Sequence, residues 1–324
     1  MYQAQIIADS LSPDGVRLTT FTVTFPRFIL AELNTHRRFS RNSASSRAIP
    51  TEKIIEAVKV QPFVPETFNA RVKGMGVGDP LEKRAMWNAK DAWLRARDEA
   101  VARAVELMNT GVDKSRVNRL LEPFMWHTAI ISSTEWENFF AQRQPMNAEP
   151  VPQLDFPAQL EMQSAARLMR GLMDKFEPEA LDYGQWHLPL VDEDELTQLC
   201  AARTGTPDLG ISEEDKWKRV SASRCARVSY DRHHDDEEIG ATLKRAGGLA
   251  EKFHMSPFEH VARPWSQHEQ RVRRAAMQAA IDAAGTDAAA ADSAIHALEY
   301  EGNFKGWHQM RKDFPCEDNM MGLI

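Results

Sequence analysis

The chain has 324 residues, 43% of them hydrophobic and 27% charged, with a net charge of −7 and a pI near 5.9. That balance describes an ordinary globular protein, long enough for one large domain or two smaller ones, and its acidity argues against a protein whose main task is coating nucleic acid. No run approaches the roughly 18 apolar residues that spanning a bilayer requires. The opening MYQAQIIADSLSPDG does not read as a secretory signal, and three scattered cysteines, Cys200, Cys225 and Cys316, supply neither a disulfide framework nor a metal knuckle. A reduced, cytoplasmic setting is expected.

In chain order, Leu18 to Phe25 (LTTFTVTF) alternates Phe21, Val23 and Phe25 with Thr20, Thr22 and Thr24. This is the period of a strand with one apolar face. Pro26 closes it and can begin a short helix that turns Ile29 and Leu33 inward. The glycine-rich Val72 to Pro80 reads as a loop rather than a phosphate cradle, because no apolar strand precedes it. Asp79-Pro80-Leu81-Glu82 has the form of a helix start, with Met86, Trp93, Ala100, Ala104 and Leu107 following at helical spacing and Gly111 as terminator. Asn118 to Arg143 is apolar but carries Arg119, Asn138 and Arg143. Beyond a proline-rich loop, Ala158 to Phe176 reads helical, with Leu160, Leu168, Leu172 and Met173 near one side. Ser212 to Asp215 looks like a helix cap, and Asp236 to Phe253 a helix broken or ended near Gly247-Gly248. Ser256-Pro257-Phe258-Glu259 has the pattern of a capping box, and the alanine-rich Arg274 to Tyr300 that of a helical insertion interrupted by Gly285. Helices outnumber strands, so the class is α with a β core, or α+β.

Thr35 to Arg47 is the densest chemical segment. Four arginines, one histidine and four serines in thirteen positions make an anion-binding surface, since guanidinium forks match phosphate oxygens two at a time. The other histidines attract blander readings. His233-His234 sits in a polar stretch, and His254 and His260 are spaced so that they would not share a helix face, so no metal site is expected. His187 is either core or site. Asn303 to Arg311 interleaves aromatic, amide and basic groups, a pattern of an interface or pocket-lining strand in an acidic protein.

The pattern His36-Arg37-x-x-Ser40-x-Asn42-x-x-Ser45-x-Arg47 resembles the signature of the flavin-dependent thymidylate synthases. Asn118-Arg119-Leu120-Leu121-Glu122-Pro123 resembles that family's arginine-then-proline element. Asn138 to Arg143 with Ala158-Gln159-Leu160-Glu161 resembles its asparagine–arginine helix and AQxE run. Ala226-Arg227-Val228-Ser229-Tyr230 and Ser256-Pro257-Phe258-Glu259-His260 resemble its ARVSY and PFEH elements. In the family the last two precede the arginine signature, whereas in this chain they follow it, so the chain reads as circularly permuted, which is tolerable when termini lie close together. The matches cover well under half the chain. Residues 51–112, 144–157, 177–217 and 264–301 have no counterpart. Three positions depart from the pattern: Thr35 replaces the opening arginine, Ser43 an acidic residue and Glu32 a glutamine.

The resemblance implies a single α+β catalytic domain over residues 1–324, a central and mostly antiparallel sheet flanked by long helices, with helical insertions at 51–112 and 264–301. It implies reductive methylation of dUMP to dTMP, with methylenetetrahydrofolate as carbon donor, reduced FAD as hydride carrier and NADPH as reductant, in a cytoplasmic homotetramer whose pockets are shared between subunits. Thr35, His36, Arg37, Asn138, Ser229 and His260 would contact the flavin. Glu32, Ser43, Ser45, Ser46, Arg47, Arg119 and Arg143 would hold the nucleotide, with Arg143 and Ser45 at the chemistry, Arg143 polarising a ring carbonyl as charge develops. The cysteine-dependent thymidylate synthases instead use a thiolate. Pro315-Cys316 resembles their Pro-Cys pair, but Glu317-Asp318 beside it would raise the thiol pKa. Two alternatives remain open at this point. One is a hydroxymethylase or methylase on the same scaffold acting on dUMP or dCMP, as Glu32, Thr35 and Ser43 allow. The other is a non-catalytic nucleotide- or nucleic-acid-binding homologue.

Overall fold

The computed structural model describes residues 1–74, 78–144, 156–192, 195, 212–230, 238–315 and 317. Cys200, Cys316, His233-His234 and most of the proline-rich loop lie outside the described residues.

The alternating LTTFTVTF segment is the central strand of a five-stranded sheet. β1 (Gln3–Leu11) and β2 (Arg17–Pro26) form an antiparallel hairpin. β3 (Ser40–Ser43) and β4 (Trp126–Ser133) extend it on the β2 side, and β5 (Glu179–Ala180) joins β1 in parallel, giving the order β3-β4-β2-β1-β5. The class is α+β, with a mixed sheet that is antiparallel in all but its last pairing. Pro26 ends β2 as expected, and a 3-10 turn (Arg27–Ile29) leads into the one-turn α1 (Leu30–Leu33), both Ile29 and Leu33 being buried.

Phe21, Val23 and Phe25 pack with Ala129 and Ile131 of β4 against α5 (Glu137–Arg143) and α6 (Leu160–Met173). The inward face of α6 is Met162, Ala165, Ala166 and Met169, while Leu168 points to solvent. The apolar stripe expected through Leu160 and Leu168 is therefore rotated, the small Ala165 and Ala166 letting the helix approach the sheet. The threonine face of β2 is buried as well: Thr20 and Thr22 lie under a second layer in which Cys225 and Val228 meet Ile130. That layer comes from α7 (Glu213–Ala226), whose Ser212 side chain caps Asp215 N–H as expected, and from α8 (Ile239–Glu251). The Cys225 thiol is fully enclosed and burial pushes its pKa up.

Residues 51–112 fold into α2 (Thr51–Val60) and α3 (Lys83–Asn109), which share a core of Ile54, Ile55, Val58, Val101 and Ala104 with Val117 of α4 (Lys114–Val117) and with Leu121. The helix start expected at Asp79 is displaced. Backbone groups of residues 79 and 81 pair with Ala70 and Phe68 instead, and α3 begins at Lys83 without a side-chain cap. Gly111, at φ +80°, ends it, with its N–H on Met108 C=O.

Two further expectations fail locally. Gly247 and Gly248 lie inside α8, which runs on to Glu251. Its turn is made by Phe253 at φ +54°, with His254 N–H on Leu249 C=O. Residues Ser256–Glu259 form one 3-10 turn with no side-chain cap; the capping box belongs to Ser266 and Glu269, at the start of α9 (Gln267–Ala284). The alanine-rich segment is helical as expected, but as two helices, α9 and α10 (Ala288–Glu299), that fold back on each other at Gly285 (φ +57°), with no buried residue in either. β6 (Ala262–Pro264) pairs with β9 (Trp307–Gln309), and β7 (Tyr300–Glu301) with β8 (Phe304–Lys305) in a tight hairpin, so the 303–311 segment runs from the second strand of that hairpin into β9, with Phe304 and Trp307 buried. No helix among the described residues is long and apolar enough to cross a membrane.

Candidate functional site

The arginine signature is cut by β3. Residues 32–38 emerge before the strand and residues 45–47 after it, and each group joins a different recess.

Before the strand, Arg143 at the end of α5 reaches back to the α1 turn. Its Nη1 pairs with Glu32 Oε1 at 2.6 Å, its Nε donates to His36 Nε2 at 3.1 Å, and its Nη2 donates to Thr35 Oγ1 at 3.3 Å. Accepting from a guanidinium requires a neutral imidazole, and the environment keeps it so. Burial, then the charges of Arg143 and Arg41, pull the His36 pKa down to about 4. The Glu32 carboxyl is raised by burial, against the opposing pull of Arg143, and its Oε2 is buried without a hydrogen-bond partner. The adjoining recess, about 600 Å³, is lined by His36, Arg37 and Arg38 with Asn138 of α5 and Lys305 of β8.

After the strand, a cleft of about 780 Å³ opens between the 42–48 segment, α4, the end of α7 and the loop after α8. Arg47, Lys114, Arg227 and Arg245 line it together with Asn42, Ser45, Ser229 and His254, and none of its described lining residues is acidic. The local chain is tightly fixed. Ser45 N–H donates to Ser229 C=O at 3.0 Å, Lys114 Nζ to Ala48 C=O at 2.9 Å, and the buried Asn118 amide to Ser46 C=O at 2.6 Å. Four cationic side chains with no acidic residue among the described lining make the recess electropositive, the character of a candidate anion site.

The expected site residues therefore divide. His36, Arg37 and Asn138 line the first recess, Glu32, Thr35 and Arg143 cluster beside it on His36, and Ser45, Arg47 and Ser229 line the second. Ser43 is paired to Ala129 in the sheet. Ser46 is buried and faces a separate 340 Å³ cavity under α2. Arg119 lies at the surface on Glu122, at 2.8 Å. His260 is fully buried, with Nδ1 on the Ser132 hydroxyl at 2.8 Å and Nε2 on the Asn42 amide at 3.2 Å, so in this chain it supports the cleft from beneath rather than lining it.

The first recess offers a neutral imidazole, two arginines and an amide, but Glu135 and Glu137 also line it and Arg38 pairs with Glu135 at 3.9 Å, so its lining is of mixed charge. Within one chain, Ser229 and His260 do not join these residues. Sequence reasoning missed Lys114, Arg245 and His254, which no motif marks, and Arg227 and Asn42, which stand inside quoted motifs.

No family model matches the chain, and no curated protein matches it in sequence. Among solved structures it is similar to the UMP/dUMP methylase PolB from Streptomyces cacaoi bound with 5-Br UMP, at 15% identity and a TM-score of 0.43 over 54% of this chain and 89% of that chain. The same methylase bound with 5-Br dUMP gives 15% identity and a TM-score of 0.43 over 54% and 90%.

Proposed function

We propose that the chain is a flavin-dependent thymidylate synthase-like enzyme that methylates a pyrimidine nucleoside monophosphate, dUMP in the first instance. The observation that carries this reading is the cleft. Asn42, Ser45 and Arg47 of the arginine signature meet Ser229 of the ARVSY element and Ser256-Pro257 of the PFEH element around one cationic recess, although these segments are far apart in the chain. A doubly charged phosphate needs more than one guanidinium, and Arg47, Arg227 and Arg245 with Lys114 surround the space that would take it.

Arg143, held by Glu32, Thr35 and His36, is oriented to polarise a carbonyl oxygen of the base as negative charge develops at C5. It stands beside the first recess and outside the cationic cleft, so the reading includes a homo-oligomer, a tetramer by resemblance, in which the Arg143 cluster and first recess of one subunit complete the cleft of another. His36, Arg37 and Asn138 would hold the flavin, with Thr35 beside them. Reduced FAD, when bound, supplies the hydride that brings the methylene from methylenetetrahydrofolate to the methyl level, NADPH renewing it. The order of the motifs, with ARVSY and PFEH after the signature, is part of the proposal as a circular permutation.

The test is a visible spectrum of the purified protein with and without added FAD, followed by titration with dUMP. The expected result is flavin absorbance near about 450 nm that shifts on adding dUMP, and a product heavier than dUMP by one methylene when methylenetetrahydrofolate and NADPH are supplied. A protein that takes up no flavin, yet binds oligonucleotide with steep salt dependence, would overturn the enzyme reading.

A further inference from the structure

A row of polar side chains crosses the sheet on its threonine face. Each antiparallel strand gives one: Ser10 from β1, Thr20 from β2, Ser132 from β4 and Asn42 from β3. All four are buried, as are the two histidines that cover them, His187 and His260. They form one unbroken chain. Ser10 Oγ meets His187 Nδ1 at 2.9 Å, and His187 Nε2 meets Thr20 Oγ1 at 2.7 Å. Thr20 Oγ1 meets Ser132 Oγ at 2.6 Å, directly across the β2–β4 register, and Ser132 Oγ meets His260 Nδ1 at 2.8 Å. His260 Nε2 meets the Asn42 side-chain amide at 3.2 Å.

Each contact needs one proton, and each hydroxyl or neutral imidazole supplies one. A neutral imidazole donates at one nitrogen and accepts at the other, so the direction of the Asn42 contact fixes the His260 tautomer, and with one proton passed along at each hydroxyl the whole chain runs either toward Asn42 or away from it. The far end decides between them. The amide group of Asn42 that meets His260 also faces the carbonyl oxygens of Arg41 and Ser256, both at 3.1 Å. Carbonyls only accept, so that group is the NH₂. Asn42 donates to His260 Nε2, the His260 Nδ1–H donates to Ser132, Ser132 to Thr20, Thr20 to His187 Nε2, and the His187 Nδ1–H to Ser10. His260 is then the Nδ1–H tautomer, and so is His187 when each hydroxyl passes its proton along the chain. Their neutrality is consistent with burial, which pulls both pKa values down to about 3.

We propose that this buried chain is a positioning relay that holds His260 in the tautomer accepting from Asn42 and, together with the carbonyls of Arg41 and Ser256, keeps the Asn42 amide oriented in the cationic cleft, with Thr20, Ser132, His187 and His260 acting on the bound nucleotide through Asn42 alone. The second clause rests on the nucleotide reading above; the orientation itself does not. Reversing the amide would put its oxygen against two carbonyls and its NH₂ among donors, so the relay and the Asn42 side chain invert together or not at all. Thr20 and His187 line neither the cleft nor the Arg143 recess, and they are positioning residues, not catalytic ones.

Two measurements test this. Nitrogen-15 spectra of the imidazoles at pH 7 should show His260 and His187 as Nδ1–H tautomers, and Thr20→Val should turn His260 into a mixture, whereas Thr20→Ser should keep the single form. An Nε2–H tautomer at His260 in the unmodified protein would overturn the proposal. Second, dUMP affinity is measured in a cycle of Thr20→Val and Asn42→Ala. Thr20→Val is expected to weaken binding about fivefold in the wild-type background, in the range of ordinary coupling between sites, and to have no further effect beside Asn42→Ala. Additive losses would show that Thr20 acts by general destabilisation and would overturn it. Ser132→Ala serves in the same cycle if Thr20→Val does not fold. If dUMP binds to none of the proteins, the nucleotide reading falls, and the tautomer spectra still decide the relay.

Discussion

Removing Arg143 tests both the architecture and the chemistry of the first recess. Arg143→Ala deletes three contacts at once and leaves Glu32 without its counter-ion. At 2.6 Å and an effective dielectric of about 20, the direct attraction is about 6 kcal/mol before desolvation is subtracted. Both side chains are less than one-fifth exposed, at 17% and 18%, so the pair belongs nearer the buried class, where loss of one partner costs roughly 3–5 kcal/mol, than the surface class at about 1 kcal/mol or less. A loss of about 3 kcal/mol in urea denaturation at pH 7 is expected. The damage arises from a stranded charge, as the unpartnered Glu32 Oε2 already indicates.

Glu32→Gln in the same chain should therefore return about 2 kcal/mol of that loss. The pH dependence has a definite sign. Burial already holds the Glu32 carboxyl above its usual range while Arg143 pulls it down. Without Arg143 the pKa rises further, and a carboxyl raised by folding destabilises above that pKa and ceases to do so as pH falls through it. The stability gap between wild type and Arg143→Ala should narrow on acidification. Turnover should be abolished in Arg143→Ala with flavin content largely kept, and Glu32→Gln should restore stability without restoring turnover. Single costs that simply add, within about 0.5 kcal/mol, would refute the stranded-charge argument, and full activity in Arg143→Ala would remove its role in catalysis.

Burial holds His127, His187 and His260 neutral down to about pH 3, and His36 to about 4. The unfolded chain titrates these groups near about 6.5. Stability should thus rise with pH across the interval between; a flat profile from pH 6.5 to 4 in denaturant melts would contradict the neutral assignments. Burial alone would lower the His308 pKa, but its hydrogen bonds to Asp313 and Glu301 prevail and lift it to about 9. Its contribution is therefore full below about pH 6.5 and lost as pH rises to about 9, a shallower alkaline limb in the same melts. Arg47→Ala should weaken dUMP binding about tenfold, for one charge-assisted contact of roughly 1.5 kcal/mol, read by titration; unchanged affinity would place the phosphate elsewhere. Ser266→Ala removes half of the capping box that starts α9 and should cost about 1 kcal/mol, with no effect on dUMP titration.

The local periodicities were legible because they report faces, and the errors arose where the answer lay across the fold. LTTFTVTF specifies a strand and its apolar side, yet nothing in it says that Thr20 would be sealed beneath His187 and Ser132, residues supplied by distant segments. Asp79-Pro80 has the chemistry of a helix start, but the neighbouring backbone pairs with Ala70 and Phe68, and that pairing outweighs the capping preference. The cationic character of the arginine signature was legible from composition. Its division between two recesses was not, because four residues of it, Ser40–Ser43, are drawn into the sheet edge by β4. Lys114 and Arg245 stand alone in their segments and become part of the cleft only when α4 and α8 are packed around it.

The bonds that build the cleft run between segments far more than within them. Ser45 is held by Ser229, Asn42 faces Ser256 and His260, Lys114 closes on Ala48, and the carboxylate of Glu259 is gripped by Arg311 at 2.5 Å. Gln309 donates to both Ser40 Oγ and Glu259 C=O, at 3.1 and 2.8 Å, fastening β9 to β3 and to the 3-10 turn together. None of these contacts depends on which segment comes first along the chain. A site assembled in this way constrains the residues at each junction and the sheet that spaces them, and leaves the order of connection free. That is why the ARVSY and PFEH segments can follow the arginine signature and still close around Asn42, Ser45 and Arg47.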